Sequence, residues 1–169
     1  PRVGWRIGGR NGHLASVMSR PVRSAGLLPY RINSGLEVLI AHPGGPFFAG
    51  RDEGAWTLLK GLVEKGEDDL TTAAREFEEE TGWPAPGQPW IPLGETVMRS
   101  RKVVIAWAVE KDYEPGDLMP GSFTLRGREY PEIDSVEWAE PQRARAALNP
   151  ALGVFVDRLE LHLGLNDSP

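Results

Sequence analysis

Gly61-Leu-Val-Glu-Lys-Gly-Glu67-Asp-Asp-Leu-Thr-Thr-Ala-Ala-Arg75-Glu76-Phe77-Glu78-Glu79-Glu80-Thr81-Gly82-Trp83 is the stretch that decides the fold. Its second half reads as a helix over Glu67–Thr81, closed by Gly82, because glycine takes the left-handed position after a helix at no steric cost. Leu70, Ala73, Ala74 and Phe77 give that helix one apolar stripe. Glu76, Glu79 and Glu80 then fall at i, i+3 and i+4, with their carboxylates crowded on one face. Like charges at that spacing cost about 0.2–0.5 kcal/mol per pair. A sequence shaped by stability alone would have put lysine among them. Clustered carboxylates do make a site for a hard divalent cation, which prefers oxygen ligands. The plain alternative is a solvated acidic face, the usual meaning of an isolated run of glutamates.

The spacing argues against the plain reading. Gly61, Glu67, Arg75, Glu76, Phe77, Glu79, Glu80, Gly82 and Trp83 occupy every position of the Nudix box. That motif runs Gly, five residues, Glu, seven residues, Arg-Glu, a hydrophobic residue, any residue, Glu-Glu, any residue, Gly and a hydrophobic residue. With seven positions fixed at about 6–7% background each, a chance match over all starting points in the chain is on the order of one in a million. Trp83 where a branched aliphatic is commoner, and Leu59 in place of a frequent proline, are small departures. The chain therefore resembles the Nudix hydrolases, and the likeness extends from about Ser24 to Leu163.

The resemblance implies an α/β fold, a mixed β-sheet sandwiched between α-helices, with the box as a loop–helix–loop. It implies hydrolysis of a diphosphate linkage in a nucleoside diphosphate derivative, such as a nucleoside triphosphate or a diadenosine polyphosphate. Glu76, Glu79, Glu80 and the Gly61 carbonyl match the family's metal ligands, for Mg2+ with Mn2+ as a substitute. Glu67 and Arg75 match its box pair, read as a salt bridge that orders the loop. The general base is expected either among the box glutamates, Glu76 or Glu79, or on a downstream loop. There Glu132 and Glu129 lead and Asp134 follows. Lys60 is expected to contact a phosphate oxygen. Arg101, with Arg99 and Lys102 on the same turn, is expected to meet the distal phosphates.

Outward from the box, Ala25–Tyr30 and Leu36–Ala41 read as strands joined by Asn33-Ser34-Gly35. The loop His42-Pro43-Gly44-Gly45-Pro46-Phe47-Phe48 follows, with its phenylalanines expected in the core rather than serving as a lid. Trp56–Leu59 reads as a short strand, and proline-rich 83–92 as an irregular loop. Ile91–Met98 and Val103–Glu110 read as a hairpin, Glu129–Glu132 as a loop and Ser135–Trp138 as the last strand. Two helices finish the chain. The second is expected to start with Asn149 as N-cap and Pro150 at its first position, and to end at Gly164. Its apolar stripe is Leu152, Phe155, Val156, Leu159 and Leu163. Residues 1–20 lack periodicity and read as an extension outside a single domain over 21–169. Met18 is a plausible natural start, which would make 1–17 an addition.

Composition narrows the remaining classes. The chain has 169 residues, 40% hydrophobic and 25% charged, which suits one globular domain. A net charge of −5 argues against a duplex nucleic acid partner, which calls for a basic face. There is no cysteine, so thiolate chemistry, disulfides and Cys-held zinc are excluded. A reducing cytoplasm is the expected compartment. The longest apolar run, Val103–Val109, is far short of a membrane span. The expected partner is a small nucleotide-like diphosphate, and nothing fixes an oligomeric state. Two departures bear on substrate. Gly87-Gln-Pro-Trp-Ile-Pro lacks the Ser, the adjoining Pro and the trailing Ser of the NADH diphosphatase signature, and the chain lacks the Cys-bound zinc of those enzymes. Met98–Lys102 lacks the tyrosine that some diadenosine polyphosphate hydrolases carry there. A non-catalytic Nudix module that binds a nucleotide for regulation is the rival reading. A calcium-binding loop of the Asp-x-Asp-x-Asp-Gly type is absent.

Overall fold

The computed structural model describes residues 21–165, so the expected extension over 1–20 lies outside the described residues. Eight strands run in the order β1 (Arg23–Ile32), β2 (Leu36–Pro43), β3 (Leu59–Leu62), β4 (Ile91–Val97), β5 (Val103–Glu110), β6 (Ser122–Leu125), β7 (Arg128–Pro131) and β8 (Ile133–Ala139). Helix α1 (Asp69–Thr81) follows β3, and α2 (Pro141–Ala147) and α3 (Gly153–His162) close the chain.

β1 is the axis of a mixed sheet ordered β4-β5-β1-β2-β8. It pairs parallel with β5 from Arg23 to Tyr30. Its other edge is shared by two antiparallel partners: β3 opposite Ser24–Leu27, then β2 opposite Tyr30–Ile32. β1 therefore forks, and the loop from Gly44 to Leu58 spans the opening. The expected Trp56–Leu59 strand is displaced toward the C-terminus. Trp56 and Thr57 form only isolated bridges, to Leu148 and Ala41. The paired strand runs Leu59–Leu62 because the free edge of β1 lies opposite those residues.

Adjacent residues of the central strands serve opposite faces, as the pleat dictates. Leu28, Ile40, Val104 and Ala106 face α2 and α3, packing with Leu152, Phe155, Val156 and Leu159. Leu27, Leu39, Trp107 and Val109 pack with Ala73 and Phe77 of α1. Burial on both faces explains why these strands read as continuous apolar runs. The expected α/β/α sandwich is the observed architecture.

Three boundaries differ from expectation. α1 begins at Asp69, because Asp68 caps it by accepting from the Thr71 N–H at 2.9 Å. Leu70 lies in that first turn and stays 37% exposed, so the buried face is Thr72, Ala73, Phe77 and Thr81 instead. Gly82 does close the helix, at φ +74°. At the other end Asn149 caps a separate turn, accepting from Ala151, and α3 starts only at Gly153. The third difference is an unforeseen hairpin. β6 and β7 pair across Arg126-Gly127, whose φ values of +50° and +74° suit a tight two-residue turn. Glu129–Pro131 are thus strand residues, not loop.

Candidate functional site

Arg75 ties together Glu67, Glu76 and Glu79. Its Nε and Nη2 donate to the two Glu67 oxygens, both at 2.9 Å, in a fork-to-fork pair. Nη2 also reaches the Leu62 carbonyl at 3.0 Å, and Nη1 donates to Glu76 at 2.8 Å and to Glu79 at 3.1 Å. Glu67 takes a further bond from the Thr72 hydroxyl at 2.6 Å. Arg75 first, then Thr72, pull the Glu67 carboxyl down to about 2. The expected box pair is therefore an observed salt bridge that ties loop 62–68 to α1.

Glu76 and Glu80 point from α1 onto β3. Gly61 has no side chain, and a β-carbon there would stand 2.0 Å from a Glu76 carboxylate oxygen. The Lys60 backbone N–H donates to Glu80 at 2.8 Å. Burial raises the Glu76 carboxyl, and it pushes Glu80 up to about 8 against the pull of Lys60. Burial likewise lowers the Lys60 ammonium. Glu79 is freer, with its side chain 53% exposed.

The opposite wall is set by a relay of backbone hydrogen bonds. Gly121 N–H donates to the Glu79 carbonyl, Glu132 N–H to the Gly121 carbonyl, and Gly44 N–H to the Glu132 carbonyl, at 2.8–2.9 Å each. Glu132 is thereby held against the helix that carries the box. A cleft of about 510 Å3 results, with Lys60, Gly61, Glu76, Glu79, Glu80 and Glu132 on its polar side. Phe48 and Phe123 line it on the apolar side. Burial first, then the charges of Glu76 and Glu79, raise the Glu132 carboxyl.

The other expected bases do not reach this cleft. Glu129 accepts from the Ser122 hydroxyl on the outer hairpin, and Asp134 pairs with His42 Nδ1 at 2.8 Å. On the β4–β5 turn, burial lowers the Lys102 ammonium against the opposing charges of Glu76 and Glu80. Arg101 sits at φ +66°, exposed, and neither it nor Lys102 lines the cleft. The expectation for Phe47 and Phe48 also fails: Phe47 is 69% exposed and Phe48 lines the cleft.

The donors present fit a hard divalent cation in kind, since all are carboxylate or carbonyl oxygens. Gly61, bare of a side chain, lets the Glu76 carboxylate lie against its backbone. Among the described residues no three acidic or histidine side chains converge on one point with ligand geometry. Arg75 Nη1 bridges Glu76 and Glu79.

Comparison with known proteins shows the fold and the family. Bis(5'-nucleosyl)-tetraphosphatase (asymmetrical) of Sus scrofa is 46% identical over 66 residues, 35% of this chain and 44% of that protein. The chain thus matches less than half the length of that relative. A Caenorhabditis elegans Ap4A hydrolase binary complex superposes with TM-score 0.61 at 24% identity, over 85% of this chain and 98% of that one. The NUDIX domain of Shewanella oneidensis NrtR complexed with ADP ribose gives TM-score 0.63 at 13% identity, over 90% and 94%. These likenesses show a shared fold. With the NUDIX domain model matching residues 21–159, the chain belongs to the NUDIX family.

Proposed function

We propose that the protein is a divalent-metal-dependent diphosphohydrolase that attacks a bridging diphosphate in a nucleoside diphosphate derivative. The observation that carries this reading is the meeting of Glu132 with the box glutamates in one cleft, beside Lys60. A divalent cation, Mg2+ or in its place Mn2+, held by Glu76, Glu79, Glu80 and the Gly61 carbonyl, would neutralise charge on the phosphates and orient them. Glu132, whose proton affinity is raised, takes the proton of the attacking water. The water oxygen bonds to phosphorus as the bridging P–O bond breaks, and the leaving phosphate departs as the anion. Lys60 and Lys102 offer cationic contacts to the phosphate oxygens. Arg75 fixes the orientation of Glu76 and closes the loop that bears Glu67.

Nucleoside triphosphates and diadenosine polyphosphates are the substrates of choice, and the tetraphosphatase relative favours the second. No helix among the described residues is long and apolar enough to cross a membrane. A small nucleotide as partner, and the cytoplasm as compartment, belong to the same reading. The test is a panel of dinucleoside polyphosphates, triphosphates and sugar nucleotides with magnesium. Glu79→Gln and Glu80→Gln should each cut turnover by orders of magnitude while the fold persists. Near-wild-type turnover in both would sink the mechanism.

A further inference from the structure

Phe47 carries a phenyl ring that is 69% exposed, on the loop that spans the fork of β1. With Pro46 it forms one wall of a cavity of about 420 Å3, and Leu125, Arg126, Arg128 and Tyr130 of the β6–β7 hairpin form the other. This cavity adjoins the carboxylate cleft through Phe123. The Phe123 ring lines the cleft and packs on Tyr130, with centroids 5.8 Å apart. It also lies close under Gly45, where a β-carbon would come within 2.8 Å of it.

The two arginines here differ from most others. Arg23, Arg31, Arg75, Arg143 and Arg145 are each committed to carboxylates. Among the described residues, Arg126 and Arg128 make no ion pair and no side-chain hydrogen bond. Uncommitted guanidinium groups beside open aromatic rings, in a chain of net charge −5, are matched by a ligand with a flat heteroaromatic ring and a phosphate.

A different margin of the cleft, at Lys60, Glu80 and Glu132, opens into a separate hollow of about 240 Å3 walled by Trp56, Met98 and Leu152. Phe48 borders that hollow, while its neighbour Phe47 borders the hairpin cavity. The carboxylates thus communicate with two apolar hollows, which suits a polyphosphate that bears a nucleoside at each end. We propose that the hairpin cavity is a second-nucleotide subsite. It takes the base of the nucleoside beyond the scissile diphosphate on Phe47 and Tyr130, and the adjoining phosphate on Arg126 and Arg128. This rests on the diphosphohydrolase reading and selects dinucleoside polyphosphates within it.

Calorimetric titration with methylene-bridged, non-hydrolysable analogues of diadenosine tetraphosphate and of ATP, both with magnesium, tests the assignment. Wild type should bind the dinucleotide at least about tenfold tighter than the mononucleotide. Phe47→Ala and Arg128→Gln should each weaken the dinucleotide about five- to tenfold, and leave mononucleotide affinity and triphosphate hydrolysis unchanged. Both side chains are at the surface, so melting temperatures should hold. Equal weakening of both ligands, or of neither, overturns the subsite. Variants that change the sedimentation coefficient but not dinucleotide affinity assign the surface to a second copy of the chain, and overturn it too. If the selective pattern is found and no diphosphate is hydrolysed, the subsite stands and the hydrolase reading falls.

Discussion

The carboxyl carbon of Glu76 occupies the space that a β-carbon on Gly61 would need, at 1.9 Å from it. Gly61→Ala must therefore push the carboxylate aside. The displaced group is the tip of a flexible side chain, so the fold should lose only about 1 kcal/mol or less. Turnover should fall at least tenfold because a ligand oxygen moves. Activity and thermal melting of the variant check this; a large stability loss with full activity per folded molecule would refute it.

Glu80→Gln separates function from stability. The buried carboxylate is costly without metal, while glutamine still accepts the Lys60 N–H. The variant should melt at or above wild type in chelator. Magnesium at a hundredfold excess over Kd should stabilise wild type by about 2.7 kcal/mol and the variant by much less. Glu79→Gln should show the same lost response with little change in chelator, since it gives up only an exposed pair with Arg75. Equal magnesium responses in all three proteins would make these residues structural.

For Glu132, substitution by glutamine should lower kcat about 10²–10⁴-fold, the range for a lost general base. Metal affinity should be unchanged. A wild-type pH–rate profile in this variant would return the role to the box.

Arg75→Lys keeps the charge and loses the fork. One ammonium cannot hold both Glu67 oxygens, Glu76, Glu79 and the Leu62 carbonyl together. A loss of about 2 kcal/mol is expected, with turnover down at least tenfold. Denaturant melts and initial rates decide; wild-type values in both would show that the network is idle.

Tyr113 gives an alkaline prediction. It stacks on Trp83 at 4.7 Å, and its hydroxyl is buried without a partner among the described residues. Burial raises its ionisation to about 12, against about 10 for a free tyrosine. Its contribution is thus present below pH ~10 and is lost as pH rises toward ~12. Tyr113→Phe should be more stable by about 1 kcal/mol near neutrality, and decline less between those values. Parallel stability–pH curves for the two proteins would contradict it.

Local rules made α1, Gly82, β5 and the two-faced core strands legible, because apolar period and turn chemistry are written in adjacent residues. The crowding of Glu76, Glu79 and Glu80 on one helix face was legible from their spacing. What escaped depended on long-range pairing. Nothing near Trp56 reveals that the Ser24–Leu27 part of β1 pairs with Leu59–Leu62. Nothing near Arg101 reveals that the β4–β5 turn leaves it exposed and off the cleft. The β6–β7 hairpin did carry a local sign. Arg126-Gly127 lies between the alternating Phe123, Leu125 and Tyr130, a two-residue turn signal that the prominence of Glu129–Glu132 as a loop obscured.

The fork in β1 bears on how such a chain changes over time. β2 and β3 are each pinned to β1 by their own register, so the residues between them carry no share of either pairing. Residues 45–50 touch neither pairing, whereas Arg51 and Asp52 are tied to His42, Trp56 and Arg143. The box carboxylates are thereby set apart from the segment that bears Phe47 and Phe48. On the proposed reading, change in that segment alters which ligand is held without rebuilding the chemistry.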